Sequence, residues 1–204
     1  MIRLMFVLAA ACSLAALAVS QLSASQPAPT AAIGQPAPAW TLEDQDGKTH
    51  SLADFKGKIV VLEWFNNECP FVVKFYREGH MNRLAAQYME KGVVWLAVNS
   101  TNWHNNEHNR KIAQEWNIQR PILNDSKGDV GRAYGARTTP HMYIINPEGV
   151  LVYAGAIDSN PSSNTADISG ATNFVAKALD ELLAGKPVSQ PETRPYGCSV
   201  KYAK

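Results

Sequence analysis

The sequence predicts an α/β fold with a mixed central sheet flanked by helices. Three observations predict it. Two short stretches, "IVVLEWF" (59–65) and "VVWLAVNS" (93–100), are β-branched and apolar almost throughout, as in strands buried on both faces. Segments with apolar residues at helical spacing follow each of them, so strand and helix alternate. Later, two strand-like runs in "HMYIINPEGVLVYAGAI" (141–157) flank Asn146-Pro147-Glu148-Gly149, a hairpin signal. The first connections should then be parallel, right-handed crossovers, and the hairpin should add an antiparallel edge.

Taken in order, the chain opens with Arg3 ahead of an almost wholly apolar run over 4–19, followed by small residues at 18–20 and 23–25. That is the layout of a secretory signal peptide, expected over 1–25. The run falls just short of the ~18–20 residues a membrane span needs. Its removal implies a periplasmic or secreted protein with no membrane contact in the mature form. Residues 26–37, rich in Pro, Ala and Gln, read as a linker. A single domain is expected over 38–185, and a C-terminal tail over 186–204.

Within that domain, Asp46-Gly47 and Lys56-Gly57 signal turns and an N-terminal hairpin over 40–58. The 59–65 strand follows. From Pro70 to Lys91, Val73, Tyr76, Met81, Leu84, Ala85 and Tyr88 mark a helix ended by Gly92 and weakened or bent at Gly79. After the 93–100 strand, 106–117 predicts an amphipathic helix with Ile112, Ala113 and Trp116 inward, 121–125 a short strand and 129–136 a helical turn. The 141–157 hairpin precedes a helix over 169–187, with Ser169 as N-cap and Gly185 and Pro187 as its end. The Pro-rich tail reads as extended and flexible.

Composition narrows the function. The 204 residues are 46% hydrophobic and 18% charged, with a formal net charge of +1. That balance leaves no electrostatic footprint for nucleic acid. No phosphate-loop spacing occurs in "GKTHS" or "GDVGRAYG". Loss of a signal peptide would remove Cys12, leaving Cys69 and Cys198 in an oxidising compartment.

Cys69 follows a buried strand and opens a helix, with Pro70 in the first turn. The helix N-terminus there is expected to favour the thiolate, the nucleophilic form of the side chain. A buried structural cysteine is the alternative. Glu63 interrupts an otherwise apolar strand. It is either a buried acid able to pass protons to a nearby thiol or a strand-end residue facing solvent. His104 and His108 are four apart, a metal-compatible spacing, but no third ligand neighbours them and a solvated helix start explains them. His141 and Arg137 fall close to Cys69 only if the segment around Pro140 does.

Residues 38–185 resemble the thioredoxin superfamily. Cys69 stands where that family has the first cysteine of Cys-x-x-Cys, and Val72 replaces the second. Glu63 lies six residues earlier, at the spacing of the family's buried acid, and "TTPHMYIINPEG" matches its cis-proline segment, with Thr139-Pro140 as the cis bond. Within the superfamily, "CPFV" and "YGCSVKY" are similar to the bacterial peroxiredoxin-like redoxin group. The peroxiredoxin motif Pro-x-x-x-Thr-x-x-Cys is absent, since Leu62 and Asn66 replace its Pro and Thr. The resemblance implies a thioredoxin-like fold and a catalytic set of Cys69, Cys198, Glu63, Thr139 and Pro140. No cofactor or metal is expected.

The implied partners are a protein or small-molecule disulfide or peroxide and an external thiol reductant. Cys198 lies 13 residues beyond Gly185, and a tail of that length reaches ~40 Å. That reach crosses the domain face, and the context of the terminal segment favours an intramolecular pair with Cys198 as the resolving thiol; the alternatives are that Cys198 stays free or pairs between molecules. The leading expectation is an exported thiol–disulfide oxidoreductase. Thiol peroxidase and a non-enzymatic binding or copper-handling module remain open.

Overall fold

A computed structural model describes residues 30–204. The proposed signal peptide and the start of the linker lie outside them. The elements are β1 (Thr41–Glu43), β2 (Thr49–Ser51), β3 (Val60–Trp64), α1 (Pro70–Arg77), α2 (His80–Met89), β4 (Val94–Asn99) and α3 (Asn106–Glu115). After these come β5 (Ile122–Asn124), α4 (Asp129–Tyr134), β6 (Thr138–Thr139), β7 (His141–Ile145), β8 (Leu151–Gly155), α5 (Phe174–Leu183) and β9 (Cys198–Ser199).

Seven strands form one mixed sheet in the order β2-β1-β5-β4-β3-β7-β8, while β6 and β9 form a separate pair. The β3–β4 and β4–β5 pairings are parallel, and β7–β8 supplies an antiparallel edge. The N-terminal hairpin closes the other edge, where Glu43 pairs with Asn124.

The central strands bury both faces. Along β3, Val61 joins one core with Phe65, Phe75, Trp95, Val175 and Leu179, while Val60, Leu62 and Trp64 join a second with Trp40, Leu96, Tyr134 and Tyr143. That two-sided burial is why the segment reads as continuously apolar. Trp40, Trp64 and Trp95 are buried, whereas Trp103 is 57% exposed.

Four details differ from the sequence expectations. The 70–91 helix is two helices, because Gly79 adopts φ 69° and becomes the N-cap of α2. That left-handed conformation is cheap for glycine alone. The last helix starts at Phe174, not Ser169. Asn173 caps it by accepting from the Ala176 N–H, and Ser169 ends a 3₁₀ turn over Thr165–Ile168. Part of the expected linker is packed: the Ala31, Gly34 and Ala37 N–H groups donate to Ala133, Leu151 and Gly149 carbonyls. The tail is extended but docked. Its backbone bonds run from Pro191 and Thr193 on Ala154, through Val200 on Arg137, to Lys201 on Asn102. We call residues 186–204 the strap.

Candidate active site

Sheet register brings the site together. Strand β3 ends at Trp64, and His141, the first residue of antiparallel β7, lies opposite it. The loop after β3 and the segment before β7 therefore meet at one end of the sheet. Cys69 caps α1 from that loop, and its carbonyl accepts from the Val72 and Val73 N–H groups. From the other side comes the cis Thr139–Pro140 bond. The Cys69 thiol donates to the Thr139 carbonyl at 2.9 Å. Cys69 is 1% exposed and Thr139 2% exposed.

Cys198 arrives on the strap. Strand β9 runs antiparallel to β6 and places Cys198 opposite Thr139. Both cysteines are free thiols. Burial, then the neighbouring Cys69 side chain, push the Cys198 thiol up to about 11, while Lys201 pulls the other way. The strap's close approach depends on Gly197, which has φ 130° and whose missing Cβ would overlap the Thr139 carbonyl. A cleft of about 900 Å³ runs beside the strap, between Thr138, Asp158 and Phe174 and the strap residues Arg194 to Gly197.

Glu63 is fully buried, which the solvent-facing alternative does not allow. Its carboxylate is held by three donors: Tyr76 Oη at 2.6 Å, Trp95 Nε1 at 3.0 Å and Arg120 at 3.0 Å. Arg120 also donates to Tyr76 Oη at 2.7 Å and Asn82 Oδ1 at 3.0 Å. The carboxylate therefore faces a fixed cation and two side-chain donors, and none of its hydrogen bonds goes to Cys69. Burial, set against the Arg120 charge, drives the Tyr76 hydroxyl well above the usual phenol range. The network joins β3 to α1, α2 and β4.

The histidines do not form a solvated helix start. His104 is 4% exposed and stacks on His108 with centroids 3.6 Å apart. His104 Nε2 bonds the Glu68 carboxylate at 3.2 Å, and its Nδ1 accepts from Asn99 Nδ2 at 3.0 Å. His108 Nε2 bonds Asn67 Oδ1 at 2.9 Å. The pair thus clamps Asn67 and Glu68, the two residues ahead of Cys69. Burial pulls both imidazoles below the usual histidine range; their mutual repulsion adds to this at His104. His141 turns to Tyr143 and the Arg137 N–H, and burial lowers it to about 3. Among the described residues, no group of three or more His, Cys, Asp or Glu could hold a metal ion.

The sequence reasoning missed Arg120 and the strap's own anchors. Arg120 sits in a polar-looking turn with no local mark of burial. The anchors are Thr193 and Tyr196, whose roles depend on where the strap lands.

Residues 33–154 match the model of the AhpC/TSA family. The chain belongs to that family. It is similar to thiol-disulfide oxidoreductase ResA of Bacillus thuringiensis subsp. konkukian: 29% identical over 120 residues, 59% of this chain and 67% of ResA. A solved structure of an uncharacterized conserved protein from Geobacillus kaustophilus is 34% identical and covers 84% of this chain and 93% of its own, with a TM-score of 0.76. The thioredoxin domain of a thiol-disulfide oxidoreductase from Bacteroides vulgatus, 24% identical, covers 69% of this chain and 98% of its own at a TM-score of 0.54. That likeness is one of fold. The AhpC/TSA member described here is a thioredoxin-superfamily redoxin with a thioredoxin-like fold, extended by the strap.

Proposed function

We propose that this redoxin is a thiol–disulfide oxidoreductase in which Cys69 is the nucleophile and Cys198 the resolving cysteine. One observation carries the reading: the β6–β9 register sets Cys198 opposite Thr139, whose carbonyl holds the Cys69 thiol. The ResA relatives, named for thiol–disulfide oxidoreduction, support the reaction class.

The chemistry balances as two exchanges. The Cys69 thiolate attacks one sulfur of a substrate disulfide, forming a mixed disulfide and releasing the other substrate sulfur, which takes up a proton. Cys198, as thiolate, then attacks the Cys69 sulfur. The Cys69–Cys198 bond closes, the second substrate sulfur leaves, and it too is protonated. The substrate gains two electrons and the protein loses two. An external dithiol returns them. In this scheme Thr139 and Pro140 form the shelf that faces the sulfur. Glu63 is a positioning residue, fixing Tyr76 and with it the helix that Cys69 caps. An exported chain, as the apolar run over 4–19 suggests, would meet such disulfides outside the cytoplasm.

The test is mass spectrometry of trapped species with a protein disulfide and, in parallel, with peroxide. Cys69→Ser should abolish exchange, and Cys198→Ser should accumulate a mixed disulfide on Cys69. Wild-type turnover by Cys198→Ser would remove the resolving role. Fast sulfenic acid formation on Cys69 with peroxide, and no trapped protein disulfide, would redirect the reading to a thiol peroxidase.

A further inference from the structure

Lys74 is an unusual residue for the inward side of a helix. It lies on α1, one turn past Cys69, and is 1% exposed. Buried lysines are rare unless paired. Its ammonium donates to the Asn160 carbonyl at 3.1 Å and stands 3.7 Å from Asp158 Oδ2. Asp158, 3% exposed, accepts on its other oxygen from the Tyr196 hydroxyl and from the Asn160 N–H. Asp158 Oδ2 has no hydrogen-bond partner, so the Lys74 charge is what compensates it. The Tyr196 ring packs edge-on against Phe71 of α1 at 5.9 Å and lies beneath the Lys74 ammonium at 5.3 Å. Tyr196 precedes Cys198 by two residues. The strap is thus pinned, two residues before its cysteine, to the helix that the other cysteine caps.

We propose that Lys74, Asp158 and Tyr196 form a latch that positions the resolving cysteine, and that this latch also covers Cys69. The proposal rests on the oxidoreductase reading above and adds a division of labour to it. Cys69 is 1% exposed, and the strap pairs with Thr139, whose carbonyl holds the thiol; in this reading a substrate disulfide reaches Cys69 only when the strap lifts. Cys198 resolves only when the strap is seated. A weaker latch therefore has opposite effects on the two half-reactions: the first attack becomes faster and resolution slower. A residue that merely supports the fold would move both in the same direction, or neither. Lys74, Asp158 and Tyr196 are positioning residues here, since none touches the reacting sulfurs.

Tyr196→Phe removes one hydroxyl and keeps the ring against Phe71. In a Cys198→Ser background, the rate of Cys69 alkylation by iodoacetamide reports exposure of the first thiol. In the protein that keeps both Cys69 and Cys198, the equilibrium between Cys69–Cys198 disulfide and glutathione mixed disulfide reports the effective concentration of Cys198. Loss of a hydrogen bond to a charged acceptor should raise the first and lower the second, each on the order of tenfold. Asp158→Asn should do the same. Tyr88→Phe serves as the structural control, because it removes hydroxyl bonds to Asp180 and the Ala176 carbonyl and none to Lys74, Asp158 or Tyr196. It should leave both readouts at wild-type values.

Tyr196→Phe and Asp158→Asn both matching wild type in the two readouts would overturn the latch. So would both readouts moving in the same direction. If the wild-type protein never forms the Cys69–Cys198 disulfide, the oxidoreductase scheme fails. The alkylation arm then still decides the latch, because unchanged Cys69 protection in both variants refutes it.

Discussion

Replacing Arg120 by Met should destabilise the fold sharply without touching the cysteines. The guanidinium is 4% exposed and supplies the cation that faces Glu63, itself at 0%. Removing one partner of a buried ion pair costs about 3–5 kcal/mol, because the other charge is left uncompensated. The lower end applies, since Glu63 keeps the Tyr76 and Trp95 donors. For a domain of this size each kcal/mol moves Tm by roughly 2–4 °C. The drop should be about 6–12 °C in a reversible thermal melt. Glu63→Gln combined with Arg120→Met should recover part of it, because removing both charges avoids the orphaned one. The interaction energy in that double-variant cycle should exceed about 1 kcal/mol. An Arg120→Met melt within 2 °C of wild type, or a double variant as unstable as the sum of the singles, would refute the claim that this pair anchors β3 to α1 and α2.

Two further outcomes follow from the strap. Gly197→Ala places a Cβ on the Thr139 carbonyl at a φ that costs an L residue about 1–3 kcal/mol; Cys69–Cys198 disulfide formation should slow at least tenfold while far-ultraviolet circular dichroism stays native, and an unchanged rate would show that β9 need not pair with β6. Resolution by Cys198 should rise about tenfold per pH unit from pH 7 to 9 and level off between pH 9 and about 11, where the reduced protein's thiol titrates. Cys69 in a mixed disulfide no longer helps to raise the Cys198 thiol, so the plateau lies below the reduced value. A raised folded pKa also means that the associated stability is complete below the unfolded cysteine value and fades as pH climbs to about 11. A resolution rate flat across pH 7 to 9 in stopped-flow quenching would exclude the Cys198 thiolate as attacker.

Much of the fold was legible because it rests on local pattern. Strands β3 and β4 announce themselves by uninterrupted β-branched and aromatic residues, and the structure buries both of their faces. The Cys69 and Thr139–Pro140 elements were placed by the order of their motifs, and the register of β3 with β7 explains why that order suffices. What stayed hidden depends on partners distant in sequence. Glu63 reads as an interruption in a strand, and its meaning lies 57 residues away at Arg120. The strap looks like a loose tail because its proline-rich composition carries no periodicity; its anchors are tertiary bonds to Ala154, Arg137 and Asn102. Gly79 was visible as a weak point but not as a break, since only packing decides whether a helix bends or restarts.

In the proposed scheme, carrying the second thiol on a strap instead of at position 72 changes what the Cys69–Cys198 couple would report. Val72 is 1% exposed in the core beneath Cys69, so that position contributes packing. A Cys69–Cys198 bond would close a loop of 129 residues, from 198 minus 69. In the chain-entropy picture, closing such a loop stabilises the fold by about 5 kcal/mol if the native state takes the bond without strain. Folding and oxidation form one thermodynamic cycle. Whatever the disulfide adds to stability, the fold adds to the preference for the oxidised form. At about 30 mV per 1.4 kcal/mol, an unstrained bond would lower the reduction potential by roughly 100 mV relative to the unfolded chain. An oxidised protein that melts some 10–20 °C above the reduced one would therefore be hard to reset and would act as a reductant towards its substrates. Equal melting temperatures would mean that the strap bears strain equal to the entropy term, making it the better oxidant. One pair of melts, reduced and oxidised, thus places the Cys69–Cys198 couple relative to the unfolded chain, and so says whether the fold favours its reduced or its oxidised form.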